Sequence, residues 1–138
     1  MKAAIIRANK ETAIRDNASE KLLLDFYNNS LTKALANPVD LHNVQWVIDA
    51  FNSLISFYKK RKFTPRHVYM LASNTYTVIC AHYVLTNNFL LARNFLIMSL
   101  RIRIKCNTMQ NCLKDQLFVS DLAILSVLNV VITNKKLL

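Results

Sequence analysis

Apolar residues recur along this chain at helical spacing. Val44, Val47, Ile48, Phe51, Leu54, Ile55 and Tyr58 form a continuous stripe along one face of a helix. Leu23, Phe26, Tyr27, Leu31 and Leu35 keep the same spacing and predict a helix ending near Ala36. Upstream, Lys2–Arg15 reads as a separate, weakly amphipathic helix carrying Ala4, Ile5 and Ala8. Asp16-Asn17-Ala18-Ser19 reads as the break and new cap between the two. From His67 to Leu85 the chain is apolar on nearly every side, as in a central helix. Phe89–Ile104 reads as a helix packed back on its predecessor, although Arg101–Lys105 alternates with period two and also suits extended chain. Asn107–Asn111 reads as a loop, Leu113–Thr133 as a last buried helix, and residues 135–138 as a frayed tail. Strand is the alternative for the β-branched run Val127–Ile132.

The punctuation between these segments agrees with helices. Asn37-Pro38 is the clearest boundary, because the residue before proline avoids the α region and proline suits a first helical turn. Thr64-Pro65 repeats that signal, and Thr86-Asn87-Asn88 is a short polar turn. The chain has no glycine and two prolines. Phosphate-cradling loops, dinucleotide fingerprints and tight hairpin turns need glycine, so those folds are excluded. The expected fold is all-α, a compact helical bundle or short helical-hairpin array of five or six helices. At 138 residues it is one domain, with N-terminal helices over 1–37 and the core over 38–138. The helices at 40–62, 65–86, 89–105 and 113–133 are expected to form that core.

Charge changes this picture most. Residues 1–58 carry six basic and six acidic groups; residues 59–112 carry nine basic groups and no acid; the rest add three basic and two acidic, giving +10. A one-sign segment repels itself, so it calls for an anionic partner. Two basic groups stand out. Lys59, Lys60, Arg61 and Lys62, followed by Arg66 and His67, are similar to a short nuclear-import signal and suit phosphate contact. The plainer account is a solvated helix end whose cations meet the dipole. Arg93, Arg101, Arg103 and Lys105 form the second group, in which Arg93 and Arg101 share a helical face and Arg103 points elsewhere. A hairpin of 64–86 and 89–105 would return Arg101–Lys105 toward Lys62–Arg66 and merge the two. Tyr58, Phe63 and Tyr69 lie near enough to stack on bases, with core packing as the competing use.

Candidate chemistry is sparse. Cys80 with His82, and Cys106 with Cys112, lack the spacing of structural zinc sites, so buried inert thiols and a packed histidine are expected, with no metal or cofactor. Asp121 interrupts an apolar run and reads as a buried carboxylate paired with an arginine. Nothing else supports an enzyme. The N-terminal segment holds Glu11, Asp16 and Glu20 and no apolar h-region, so neither a signal peptide nor a mitochondrial presequence is expected. The run Leu117–Ile132 falls short of the roughly 20 residues a bilayer span needs, so no membrane span is expected. Three cysteines at irregular spacing fit an intracellular, reducing setting, and the Lys59–Lys62 run favours the nucleus over the cytoplasm.

Tyr76-x2-Ile79-Cys80-x2-Tyr83 followed by Phe89-x2-Ala92-x3-Leu96 resembles the tetratricopeptide repeat pattern over one repeat length, about residues 73–106. Cys80 replaces the usual glycine or alanine, Leu96 an aromatic residue, and Ile104 the closing proline. The resemblance implies a helical hairpin whose small residues, Cys80 and Ala92, allow close approach. It also implies an adaptor that binds protein.

The expected function is a non-enzymatic helical subunit of a larger assembly. It would dock through apolar helix faces, with Trp46, Leu117, Phe118, Leu125 and Leu128 as interface residues, and present residues 59–105 to nucleic acid or an acidic partner. Direct, sequence-nonspecific DNA or RNA binding and a helical-repeat protein adaptor are the alternatives. A homo-oligomer is compatible with each.

Overall fold

The computed structural model describes the backbone of residues 2–107 and 109–137, and the side chains of residues 18–107 and 110–135. The described residues form six helices and no strand: α1 (Lys2–Ala36), α2 (Leu41–Lys60), α3 (His67–Leu85), α4 (Phe89–Cys106), α5 (Met109–Lys114) and α6 (Gln116–Leu137). The fold is an all-α helical bundle. α1 and α2 form one antiparallel hairpin, and α3 and α4 a second with the most extensive pairing in the molecule. α3 touches α1, α2 and α4, so the segment that is apolar all round is the central helix. α6 packs on α4, and short α5 sits beside both.

Helix ends follow local chemistry. Asp40 Oδ1 accepts from the His42 amide at 2.9 Å and caps α2 just beyond the Asn37-Pro38 boundary. Asp115 Oδ1 does the same for α6, accepting from the Leu117 amide at 2.9 Å. α3 begins at His67 with no side-chain cap, so Thr64 does not play the role its position suggests. Without glycine, the chain ends α2 and α3 on left-handed lysine and asparagine: Lys62 has φ 54° and Asn87 φ 63°. The amides of Lys62 and Phe63 return to the carbonyls of Lys59 and Tyr58, and those of Asn87 and Asn88 to Val84 and Tyr83. Both ends are Schellman motifs, in which the left-handed residue satisfies the last carbonyls.

Several boundaries differ from the sequence expectation. α1 runs unbroken through Asp16–Ser19. Polar residues of this kind cost a helix at most about 0.7 kcal/mol each, and no proline or glycine stands among them. The inward face expected of Ala4, Ile5 and Ala8 lies outside the described side chains. Arg101–Lys105 and Val127–Ile132 are both helical, so the extended alternatives fail. The expected loop after Asn107 winds from Met109 into α5, held by the buried Cys112, and the tail at 135–137 is helical.

Two clusters of buried side chains fill the bundle. The first joins Tyr27 and Ala34 of α1 to Val47, Leu54 and Phe57 of α2 and Val68 and Val78 of α3. The core therefore extends into α1, beyond the four helices expected to supply it. The second joins Cys80 to Ala92, Leu96 and Leu100 of α4, Cys112 of α5, and Phe118 and Leu128 of α6. Between them lies a polar layer on α3 and α4. Ser73 and Ser99 face each other with their hydroxyl oxygens at 2.7 Å, and Thr77 Oγ1 stands 3.0 Å from Ser99 Oγ. Hydroxyl pairs let two helices approach closely while leaving no buried oxygen unsatisfied.

Candidate nucleic-acid interface

The α3–α4 hairpin determines where the basic residues meet. Being antiparallel, it places the start of α3 beside the end of α4, and the Arg66 guanidinium donates a hydrogen bond to the Cys106 carbonyl there. That contact satisfies a terminal carbonyl of α4 and sets Arg66, four residues beyond Lys62, beside the residue that follows Lys105. Lys59, Lys60, Arg61, Lys62, Arg66, Arg101 and Lys105 are exposed along this edge. Arg61 lies over the Phe57 ring at 3.6 Å from Cζ to the centroid, and its Nη1 donates to the Phe57 carbonyl at 3.2 Å. Stacking of this kind holds a guanidinium in place.

Two of the nine basic candidates do not belong to the edge. Arg103 is 5% exposed. Its Nε donates to Ser73 Oγ at 2.8 Å and its Nη1 faces Asp121 Oδ2 at 3.1 Å. Neither of the latter two atoms has a hydrogen-bond partner elsewhere. Arg103 is thus a structural cation that ties α3, α4 and α6 together, and Asp121 is the buried, paired carboxylate its position suggests. Burial raises the Asp121 carboxyl above its ordinary value; Arg103 opposes the rise and Asp115 adds to it. Arg93 is half-buried and donates from Nη1 to Asn129 Oδ1 of α6 at 3.3 Å, so it faces α6 instead of extending the Arg101 face.

Two clefts flank the edge. One, of about 550 Å³, is polar and lined by Ser19, Asn52, Ser56, Lys60 and Arg61. The other, of about 700 Å³, is a groove over α3. Phe51 and Ile55 of α2 form one wall, Ile102 and Lys105 of α4 the other, and Tyr69 and Tyr76 line its length. α2 and α4 make no contact across it. This groove was missed in the sequence, although Tyr69, Ala72 and Tyr76 recur at one-turn and two-turn intervals and mark its floor.

The expected interface residues separate. Phe118 and Leu128 are buried within the molecule at 1% and 4% exposure, and Leu125 packs partly against them, so these are core residues. Leu117 and Trp46 are exposed, and Lys33 Nζ sits 5.4 Å from the Trp46 ring centroid. The outer face of α6 carries exposed Val119, Ile124, Val127 and Val130 with no charge among them. α6 is apolar on both faces, which a count of its apolar run alone hides. Over Gln116–Lys135 it reaches the length and composition of a membrane-crossing helix, longer than the run read from the sequence, and 22% of that stretch is buried.

Other candidate chemistry is structural. His82 donates from Nδ1 to the Pro38 carbonyl at 2.8 Å. Burial, with the nearby Asp121 charge, pushes the Cys80 thiol up to about 11, far from thiolate reactivity at neutral pH. Among the described residues no three His, Cys, Asp or Glu side chains gather as a metal site. Phe63 is 67% and Tyr69 49% exposed, while Tyr58 is buried, so two of the three candidate stacking rings reach solvent. No family model matches this chain, and no curated protein or solved structure matches it.

Proposed function

We propose that this chain is a non-enzymatic helical subunit that binds nucleic acid by its phosphates and docks in a larger assembly through the outer face of α6. The observation that carries this reading is the basic edge itself. Exposed cations from the α2–α3 connection and the end of α4 gather around the Arg66–Cys106 contact. Along the chain no acidic residue occurs from Ala50 to Lys114, and Glu20 of α1 meets the Tyr58 hydroxyl at the base of the edge. A field of one sign on a rigid hairpin end attracts a polyanion and holds it by release of its counterions. The contact requires no base-specific geometry, so the expected binding is indifferent to sequence. The uncharged outer face of α6 suits a protein neighbour that would cover it.

Two charge-matched variants test this. Lys60→Gln/Lys62→Gln/Lys105→Gln removes three cations from the edge, and Lys21→Gln/Lys33→Gln/Lys114→Gln removes three elsewhere. The first should lose on the order of tenfold or more in affinity for a labelled oligonucleotide at low salt, and the second much less. Equal losses would show that net charge alone governs binding and would remove the edge as a site. Weak binding to every nucleic acid at low salt would move the function to an adaptor for an acidic protein.

A further inference from the structure

The two clefts beside the basic edge differ in chemistry, and the difference specifies a ligand. The first is lined mostly by hydroxyl, amide and cationic groups, the set that meets phosphate and sugar, with Leu23 and Phe57 beside them. The second is lined by aliphatic and aromatic side chains and has Lys105 at its wall. Neither is lined by a carboxylate. A backbone that follows the edge from Lys60 toward Lys105 therefore passes the mouth of an apolar, aromatic groove.

We infer that this groove takes the unstacked bases of a single-stranded nucleic acid whose phosphates lie along Lys60, Lys62, Arg66 and Lys105. The inference rests on the phosphate-binding reading above and adds the class of strand. Tyr69 is half exposed, so its ring face is available to a base. Tyr76 is held against Phe95 in a stacked arrangement at 6.0 Å and 27°, so it contributes a fixed aromatic wall with little side-chain freedom to lose. The groove's volume of about 700 Å³ lies in the range of sites that bury small planar ligands. Bases in a duplex are paired and stacked inward, so only a single strand can present them to such a groove. Charge complementarity favours an anionic occupant with apolar faces over a cationic one, because Lys105 lines the groove and Arg66 stands at the same end of the hairpin.

The test compares a labelled short oligothymidine with a strand of equal length and charge whose central nucleotides are abasic, by fluorescence anisotropy at one salt concentration. The abasic strand should bind at least about fivefold more weakly, because it keeps the phosphates and loses the stacking. Tyr69→Ala should bring the normal strand down to the abasic affinity, and Tyr69→Phe should preserve the difference. Lys60→Gln/Lys105→Gln should weaken both strands by a similar factor. Equal affinity for the two strands, with binding still lost on neutralising the edge, would overturn the base-binding groove and leave phosphate binding intact. No binding of either strand at low salt would overturn both.

Discussion

The two buried clusters of this molecule are closed by different means. The N-terminal cluster, among α1, α2 and α3, is closed at its centre by neutral hydroxyls, with the Glu20 carboxylate meeting the Tyr58 hydroxyl at its margin. Tyr27 is fully buried, and its hydroxyl lies 2.8 Å from both the Leu71 carbonyl and Thr75 Oγ1. The C-terminal cluster, among α4, α5, α6 and the end of α3, is bordered by the Arg103–Asp121 ion pair and leaves a whole face of α6 bare. A neutral hydrogen bond is worth about 1 kcal/mol and is lost gracefully. A buried ion pair gives little net stability, yet breaking it strands a charge, at a cost of about 3–5 kcal/mol. The C-terminal half is therefore the more sensitive to single substitutions, even though its pair adds little to the total.

The largest predicted effect follows directly. Arg103→Ala should lower unfolding free energy by about 3–5 kcal/mol in urea denaturation, because Asp121 is left buried without its cation. The double variant Arg103→Met/Asp121→Leu should recover most of that loss, since it removes both charges together. If the double variant is as unstable as the single one, the pair is not what makes this half sensitive. Tyr27→Phe, in the other half, should cost about 1 kcal/mol, as Thr75 Oγ1 keeps its bond to the Leu71 carbonyl. A loss comparable to Arg103→Ala would erase the contrast.

Two smaller effects sharpen it. Lys62 holds a left-handed conformation that disfavours every side chain with a Cβ. Lys62→Gly should therefore stabilise the protein by about 0.5–1 kcal/mol while weakening oligonucleotide binding. Thermal and urea midpoints measured beside anisotropy would show opposite signs, and a destabilised Gly variant would contradict the strain. The smallest effect is a pH dependence. Burial raises the Asp121 carboxyl above its ordinary value of 3.8, so the folded state holds that proton more tightly than the unfolded chain. Stability from this group is full below 3.8 and declines as pH rises through the folded-state value. Measured against Asp121→Asn, the parent protein should lose relative stability as pH climbs from that point. A relative gain over the same range would mean that Arg103 outweighs burial.

How much of this was legible in the sequence depended on how each feature is encoded. The α2 stripe was plain, because one face of that helix is buried and the other wet, which is the condition periodicity reports. Asp121 was legible as an acid among apolar residues. Its partner was half legible: helical spacing already turned Arg103 away from the Arg93–Arg101 face, but nothing in the sequence showed that this direction leads to Ser73 and Asp121. The break at Asp16–Ser19 was misread because local cap chemistry competes with continuation of the helix, and here continuation wins. Phe118, Leu125 and Leu128 could not be told from Val127 and Val130 by pattern, since α6 is apolar all round and only its packing on α4 separates inside from outside. The groove was hidden for another reason: its walls come from residues near 55, 70 and 105, and no window along the chain contains them together.

The most direct test of the central claim is the salt dependence of strand binding. Affinity of the intact chain for a labelled single strand should fall linearly in log–log form with salt, at a slope of roughly −0.7 per phosphate contacted, which for four to six contacts is about −3 to −4. Neutralising Lys60, Lys62 and Lys105 should flatten that slope by about two units. A slope near zero, or one that the edge substitutions leave unchanged, would contradict phosphate binding by this edge.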